Sequence, residues 1–144
     1  MVHLRCRDRS ARAITKFDVL VKTTSDAGEY WQQAGTAPYD INIREGYVIS
    51  LENVDAGTST VTGQVAMPGS VVPAVAFGAM AMGALVKPVY QSAAIGVVMK
   101  AATAADLAAG KAIGRVRVRH ADRGFLEGTG ASTQDVVLLH TGVL

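Results

Sequence analysis

His3, His120 and His140 are the only histidines, and Cys6 is the only cysteine. Nucleophilic catalysis needs a Ser or Cys beside a base, with an acid to orient that base. Ser70 lies in Met67-Pro-Gly-Ser-Val71, and Val72 stands where a Gly-x-Ser-x-Gly elbow has its last glycine. Cys6 sits between Arg5 and Arg7, neighbours that favour the thiolate, but the flanking residues build no pocket around it. One Cys and three scattered His do not make a zinc site. Gly128-Thr-Gly130 lacks the Gly-Lys-Ser/Thr ending and the following helix of a phosphate loop, and reads as a hairpin connector. An enzyme would have to gather His120, His140 and a carboxylate such as Asp122 or Asp135 in one pocket. The sequence thus assigns no catalytic, cofactor-binding or metal residue, and the chain is expected not to be an enzyme.

The residues suited to binding are cationic and aromatic. Arg115, Arg117 and Arg119 alternate with Val116 and Val118. On a strand, this spacing sends the arginines to one face, about 7 Å apart, and the valines to the core. Such a stripe suits an acidic partner, because Arg binds carboxylates in a bidentate manner; the alternative is a solvated face with scattered acidic neighbours. Arg5, Arg7, Arg9, Arg12 and Lys16 crowd the first residues, which read as an extended arm that orders on binding, against a mobile, solvated terminus. Tyr30-Trp31 is a candidate interface anchor, since aromatics concentrate binding energy; a core role for Trp31 competes.

Composition narrows the class. The chain has 144 residues, enough for one domain with a real core. Hydrophobic residues make up 49% and charged residues 18%, too apolar for disorder and low in charge for a protein that stands alone (about 25% is usual). Some apolar surface is expected to be covered by a partner. A net charge of +2 does not imply specific nucleic-acid binding, which calls for a basic face with stacking aromatics. No signal sequence is read at the start. The longest apolar stretch, Val65 to Val86, is broken by Pro68, Gly69, Pro73, Gly78 and Gly83, so no membrane helix is expected.

The elements that must carry these residues are short strands. They are predicted at Phe17–Lys22, Glu29–Gln33, Tyr39–Arg44, Tyr47–Leu51, Thr58–Val65, Val71–Phe77, Leu85–Tyr90, Ala94–Lys100, Ala112–His120 and Asp135–His140. Pro73 and Pro88 mark edge positions. One short helix is predicted at Ala101–Ala109, with a Thr103/Asp106 capping box and Gly110 as its C-terminal cap. The fold class is therefore mainly β: a small sandwich or barrel with one short helix, residues 1–16 an extended N-terminal arm, and residues 17–144 a single β-rich domain.

Gly83-Ala-Leu-Val86, Ala112-Ile-Gly-Arg115 and Val136-Val-Leu-Leu-His-Thr-Gly142, separated by the Ala-rich connector Ala101–Gly110, follow one another in an order that resembles the closing half of capsid decoration (cement) proteins of tailed bacteriophages. The N-terminal half carries no such likeness. The resemblance implies a non-enzymatic virion protein that binds the exterior of the major capsid shell, stabilises it, and associates with copies of itself there. The partners expected are the major capsid protein and further copies of the chain, with no specific nucleic acid, no membrane and no cofactor. The alternatives are another head-completion or tail protein, or, from a different class, a small β-barrel ligand-binding domain or enzyme.

Overall fold

The computed structural model describes residues 2–7, 14–22, 30–32, 36–53, 61–77, 80–92, 95–122 and 135–144. The fold is mainly β with one short helix, as the sequence predicts. Five strands, β1 (Val2–Arg7), β2 (Val19–Lys22), β3 (Tyr30–Trp31), β5 (Tyr47–Ser50) and β6 (Val61–Ala66), form a closed barrel in the order β1-β3-β2-β5-β6. The remaining strands form a six-stranded sheet: β4 (Tyr39–Asp40), β7 (Val71–Ala76), β8 (Leu85–Ser92), β9 (Gly96–Ala101), β10 (Gly114–Asp122) and β11 (Asp135–Thr141), in the order β10-β11-β7-β9-β8-β4. β10 also pairs with β8, so this sheet is bonded back on itself, with β4 attached at the side.

One expectation is overturned. Residues 2–7 are not a free arm: β1 runs antiparallel to β6, with Val2 opposite Val65 and Leu4 opposite Gly63, and parallel to β3. Just after it, Ile14 is 1% exposed, in a cluster with Leu20, Val48 and Val65. The physical reason is the period of two in Val2-His-Leu-Arg-Cys-Arg7, in which the arginines are the polar half of a strand rather than a loose basic tail.

Alternation explains how the barrel joins the sheet. On β2, Leu20 packs with Ile14, Val48 and Val65, while Val19 and Val21 join the large core that contains Val86, Met99, Val137 and Leu139 of the sheet. On β5, Val48 and Ile49 divide in the same way. The central residues of these strands are thus buried on both sides, and one core continues from barrel to sheet. Asp18, 2% exposed, fixes the entry to β2: its Oδ2 accepts from the Thr15 N–H at 3.0 Å and from the Gln32 side-chain amide at 3.2 Å.

The prolines shape the sheet. Pro73 lies inside β7, which is paired with β11 along its length but meets β9 only at Ala76–Met99, so the missing N–H faces no ladder. Tyr39–Arg44, predicted as one strand, keeps its alternation, with Ile41 and Ile43 buried and Asn42 and Arg44 exposed, but its ladder stops at Asp40. Ile41 N donates to the Pro88 carbonyl at 3.1 Å, and proline has no N–H to return the bond. The helix α1 (Ala104–Ala108) is shorter than predicted but carries the predicted capping box of Thr103 and Asp106, and Gly110 follows with φ 73°.

Candidate functional site

Three segments far apart in the chain meet at Gly114. Gly114 is in register with Val86 of β8 on one side and Thr141 of β11 on the other. Around it, Ile113 N donates to Val86 O (2.9 Å), Val116 N to Ala84 O (3.0 Å), Gly83 N to Val116 O (2.7 Å) and Gly142 N to Ile113 O (2.8 Å). Arg115 Nη1 donates to the Gly83 carbonyl at 2.9 Å and so ties the same turn. A Cβ on Gly114 would overlap the His140 carbonyl oxygen; only glycine lets the three strands approach this closely.

From this junction the outward side of the sheet runs across β10, β11 and β7. Register aligns Leu85, Arg115, His140 and Val71 in one row across four strands. Arg117 follows, exposed, with Nη1 3.3 Å from His140 Nδ1. Arginine has only donors, so a hydrogen bond here runs from the guanidinium to Nδ1. Leu138 and Pro73 are paired and half-buried in the next row. Further along, Val75 packs with Val89 and Val98, and at the end of β7 Phe77 carries the Lys100 ammonium 4.7 Å from its ring centre. Val71 and Phe77 are 48% and 41% exposed.

The arginine stripe predicted from the sequence is interrupted. The β10–β11 register shifts between Val116 and Val118, and again between Arg119 and Ala121. A bulge adds one residue to a strand and so breaks strict alternation. Arg115 lies opposite half-buried His140, whereas Arg119 lies opposite Val137, which is fully buried. The side chain of Arg119 is outside what the structure describes. Arg5 and Arg7 lie in β1, opposite Thr62 and Trp31 respectively, also without described side chains; Arg9 and Arg12 fall outside the described residues. Tyr30 is half-buried against the Ile14–Leu20 cluster, so it serves the chain's own core rather than standing free as an anchor. Trp31 pairs with Val21 of β2 and Arg7 of β1, and its side chain is likewise outside the description.

The enzyme-like grouping is not assembled. Asp122 pairs with Asp135 at one end of the β10–β11 hairpin, while His140 lies five residues further along β11, roughly 17 Å away at 3.4 Å per residue. Among the described residues, no group of three His, Cys, Asp or Glu could hold a metal ion, and no helix is long and apolar enough to cross a membrane.

A second charged cluster lies further round the same outward face, on β8 and β4, where Lys87 is the cross-strand neighbour of Lys100. Lys87 Nζ lies 3.1 Å from Asp106 and 3.3 Å from Asp40, and Lys111 Nζ lies 2.9 Å from Asp40. It stands beside an open cleft of about 320 Å³ between Asp40–Arg44 and Ala109–Lys111. The Lys111 ammonium, followed by Lys87, holds the Asp40 carboxyl below its ordinary range against a partial burial that opposes it. The Thr103 backbone N–H and Lys87 do the same for Asp106. Burial disfavours the Lys87 ammonium, but its bonds to Asp106 and Asp40 outweigh this and raise its pKa.

The consequence for stability has a definite sign. Carboxylates whose pKa is lowered on folding contribute above their unfolded value and lose that contribution as the pH falls through the folded one. A lysine whose pKa is raised contributes fully below its unfolded value and loses it as the pH climbs through the folded one. The cluster is therefore expected to stabilise the fold between about pH 4 and 10 and to fail at both ends. Exposed pairs contribute about 0.2–1 kcal/mol, so Asp40→Asn should lower the melting temperature by about 1–3 °C at pH 7 and by nothing measurable near pH 2. An equal difference at both pH values would show that the charge of Asp40 is not what matters.

Compared with known proteins, the chain matches no family model, no curated protein and no solved structure.

Proposed function

We propose that this chain is a structural virion protein that binds the outer surface of a major capsid shell and stabilises it. The observation that carries the reading is the Gly114 junction. The three segments that resemble decoration proteins, Gly83–Val86, Ala112–Arg115 and Val136–Gly142, are separate in sequence yet hydrogen-bonded to one another in the fold. A resemblance made of short pieces in order gains weight when those pieces form one structural unit. The outward side of that unit is a surface of exposed apolar and cationic side chains, which fits association better than turnover.

The mechanism is mass action. A protein that binds only the assembled shell stabilises it against disassembly. Repetition over a symmetric lattice, with contacts between neighbouring copies, multiplies the effect of a weak site. The test mixes the purified chain with empty shells of the virus that encodes it. Co-sedimentation in hundreds of copies per particle and a raised shell melting temperature are expected. A handful of copies would instead assign the chain to head completion or the tail, and no binding would end the capsid reading.

A further inference from the structure

We infer that the outward face of β10, β11 and β7 is the surface that docks, and that it receives an acidic segment interspersed with apolar side chains. The assignment rests on the capsid reading for its partner: the segment belongs to the shell protein.

Two independent features of the face define that occupant. The first is charge. Arg115, Arg117 and Lys100 all lie on this face, and none makes an ion pair among the described residues. Their described contacts are a carbonyl oxygen, an imidazole nitrogen and an aromatic ring, none of which carries a negative charge. Lys87, the cross-strand neighbour of Lys100, is by contrast matched to Asp40 and Asp106, and Lys111 to Asp40. On this face Arg115, Arg117 and Lys100 thus have no acidic partner among the described residues, and carboxylates are the groups that complement them. Because Arg117 holds the His140 imidazole through one nitrogen only, the rest of its guanidinium fork remains able to take a carboxylate.

The second feature is apolar area. Val71 stands in the same row as Arg115 and His140, and Pro73 and Leu138 lie beside it. Phe77 lies six residues along from Val71, roughly 20 Å away. The long direction of the face thus carries an exposed apolar side chain near each end, Val71 beside the arginines and Phe77 beneath Lys100. A purely acidic loop would leave these side chains uncovered, and a purely apolar one would leave the cations unmatched.

The test compares two double charge reversals of equal size on the full-length chain: Arg117→Glu with Lys100→Glu on this face, and Lys22→Glu with Arg44→Glu, exposed positions on β2 and just after β4. Each is titrated onto empty shells at several salt concentrations. The face variant should bind at least about tenfold more weakly than wild type. The control should bind like wild type, and wild-type affinity should fall as salt rises. If wild type binds and the face variant binds equally well, the inference is overturned while the capsid reading stands. If wild type does not bind, both fall. Circular dichroism and melting establish that each variant is folded; should the face variant not fold, Arg117→Gln alone, expected to weaken binding several-fold, decides the matter in the same way.

Discussion

Gly114→Ala is expected to cost about 3 kcal/mol or more, at the upper end of what overpacking a well-filled site costs. The added methyl would overlap the His140 carbonyl oxygen and sit 2.9 Å from Thr141 Cα. Both obstacles are backbone atoms of a paired strand, which cannot swing aside as a side-chain tip can. Relief requires β10 to move away from β11, which strains the bond that Gly142 N donates to the Ile113 carbonyl on the same side. Gly83→Ala is the informative comparison. Gly83 has a left-handed backbone, φ 81°, with nothing within 4 Å of an added Cβ, so its cost is conformational only, about 1–2 kcal/mol. At 2–4 °C per kcal/mol for a chain of this size, Gly114→Ala should melt roughly 6–12 °C below wild type, with Gly83→Ala between the two. A Gly114 variant as stable as the Gly83 one would mean that the junction is looser than its geometry indicates.

Leu20→Ala should be comparably damaging, at about 2.7–5 kcal/mol. Leu20 is fully buried, and its cluster holds only Ile14, Val48 and Val65, with Tyr30 against it. Val48, Val65 and Tyr30 belong to strands locked in a closed barrel. The walls cannot collapse inward to fill the space, and the cost of a cavity grows with the volume left empty. Leu20→Met keeps most of that volume and should cost under about 1.5 kcal/mol. Urea unfolding can be followed by far-UV circular dichroism and by the fluorescence of Trp31, the only tryptophan and part of the barrel. Because one core joins barrel and sheet, the two signals should shift together. A barrel that melts first in the alanine variant would contradict a shared core.

These features differ in how far they could be read from residues alone. The cap of α1 was legible because Thr103 and Asp106 act over three residues, and local chemistry decides the matter. Strand positions were legible where β-branched runs end in glycine or proline. The strand at 2–7 shows its alternation in the sequence, but five cations in sixteen residues fit a basic tail equally well. The early stop of β4 needed a fact about its neighbour: Pro88 lies 47 residues beyond Ile41 in the chain. The bulge at Arg117 left no trace in the sequence. Arg-Val-Arg-Val-Arg alternates without interruption, and only pairing with β11 shows where the period slips. The docking face was half-visible for the same reason. Arg115 and Arg117 were identified, while Lys100, Phe77 and Val71 join them only through the register of strands distant in sequence.

The way the sheets close has a consequence for crowding. Strands that end a sheet offer unpaired amide and carbonyl groups to any passing chain, and at high concentration this is a route to fibres. Here β1 bonds on both sides within its barrel, and β10 bonds to β11 along its length and to β8 at Gly114 and Arg115. The strand left at the side of the larger sheet, β4, has two residues and follows Pro38, too short a template to recruit a neighbour. If copies crowd together on a shell, as proposed above, the closed barrel and the short β4 leave side chains as their main means of contact and lower the hazard of cross-β polymer.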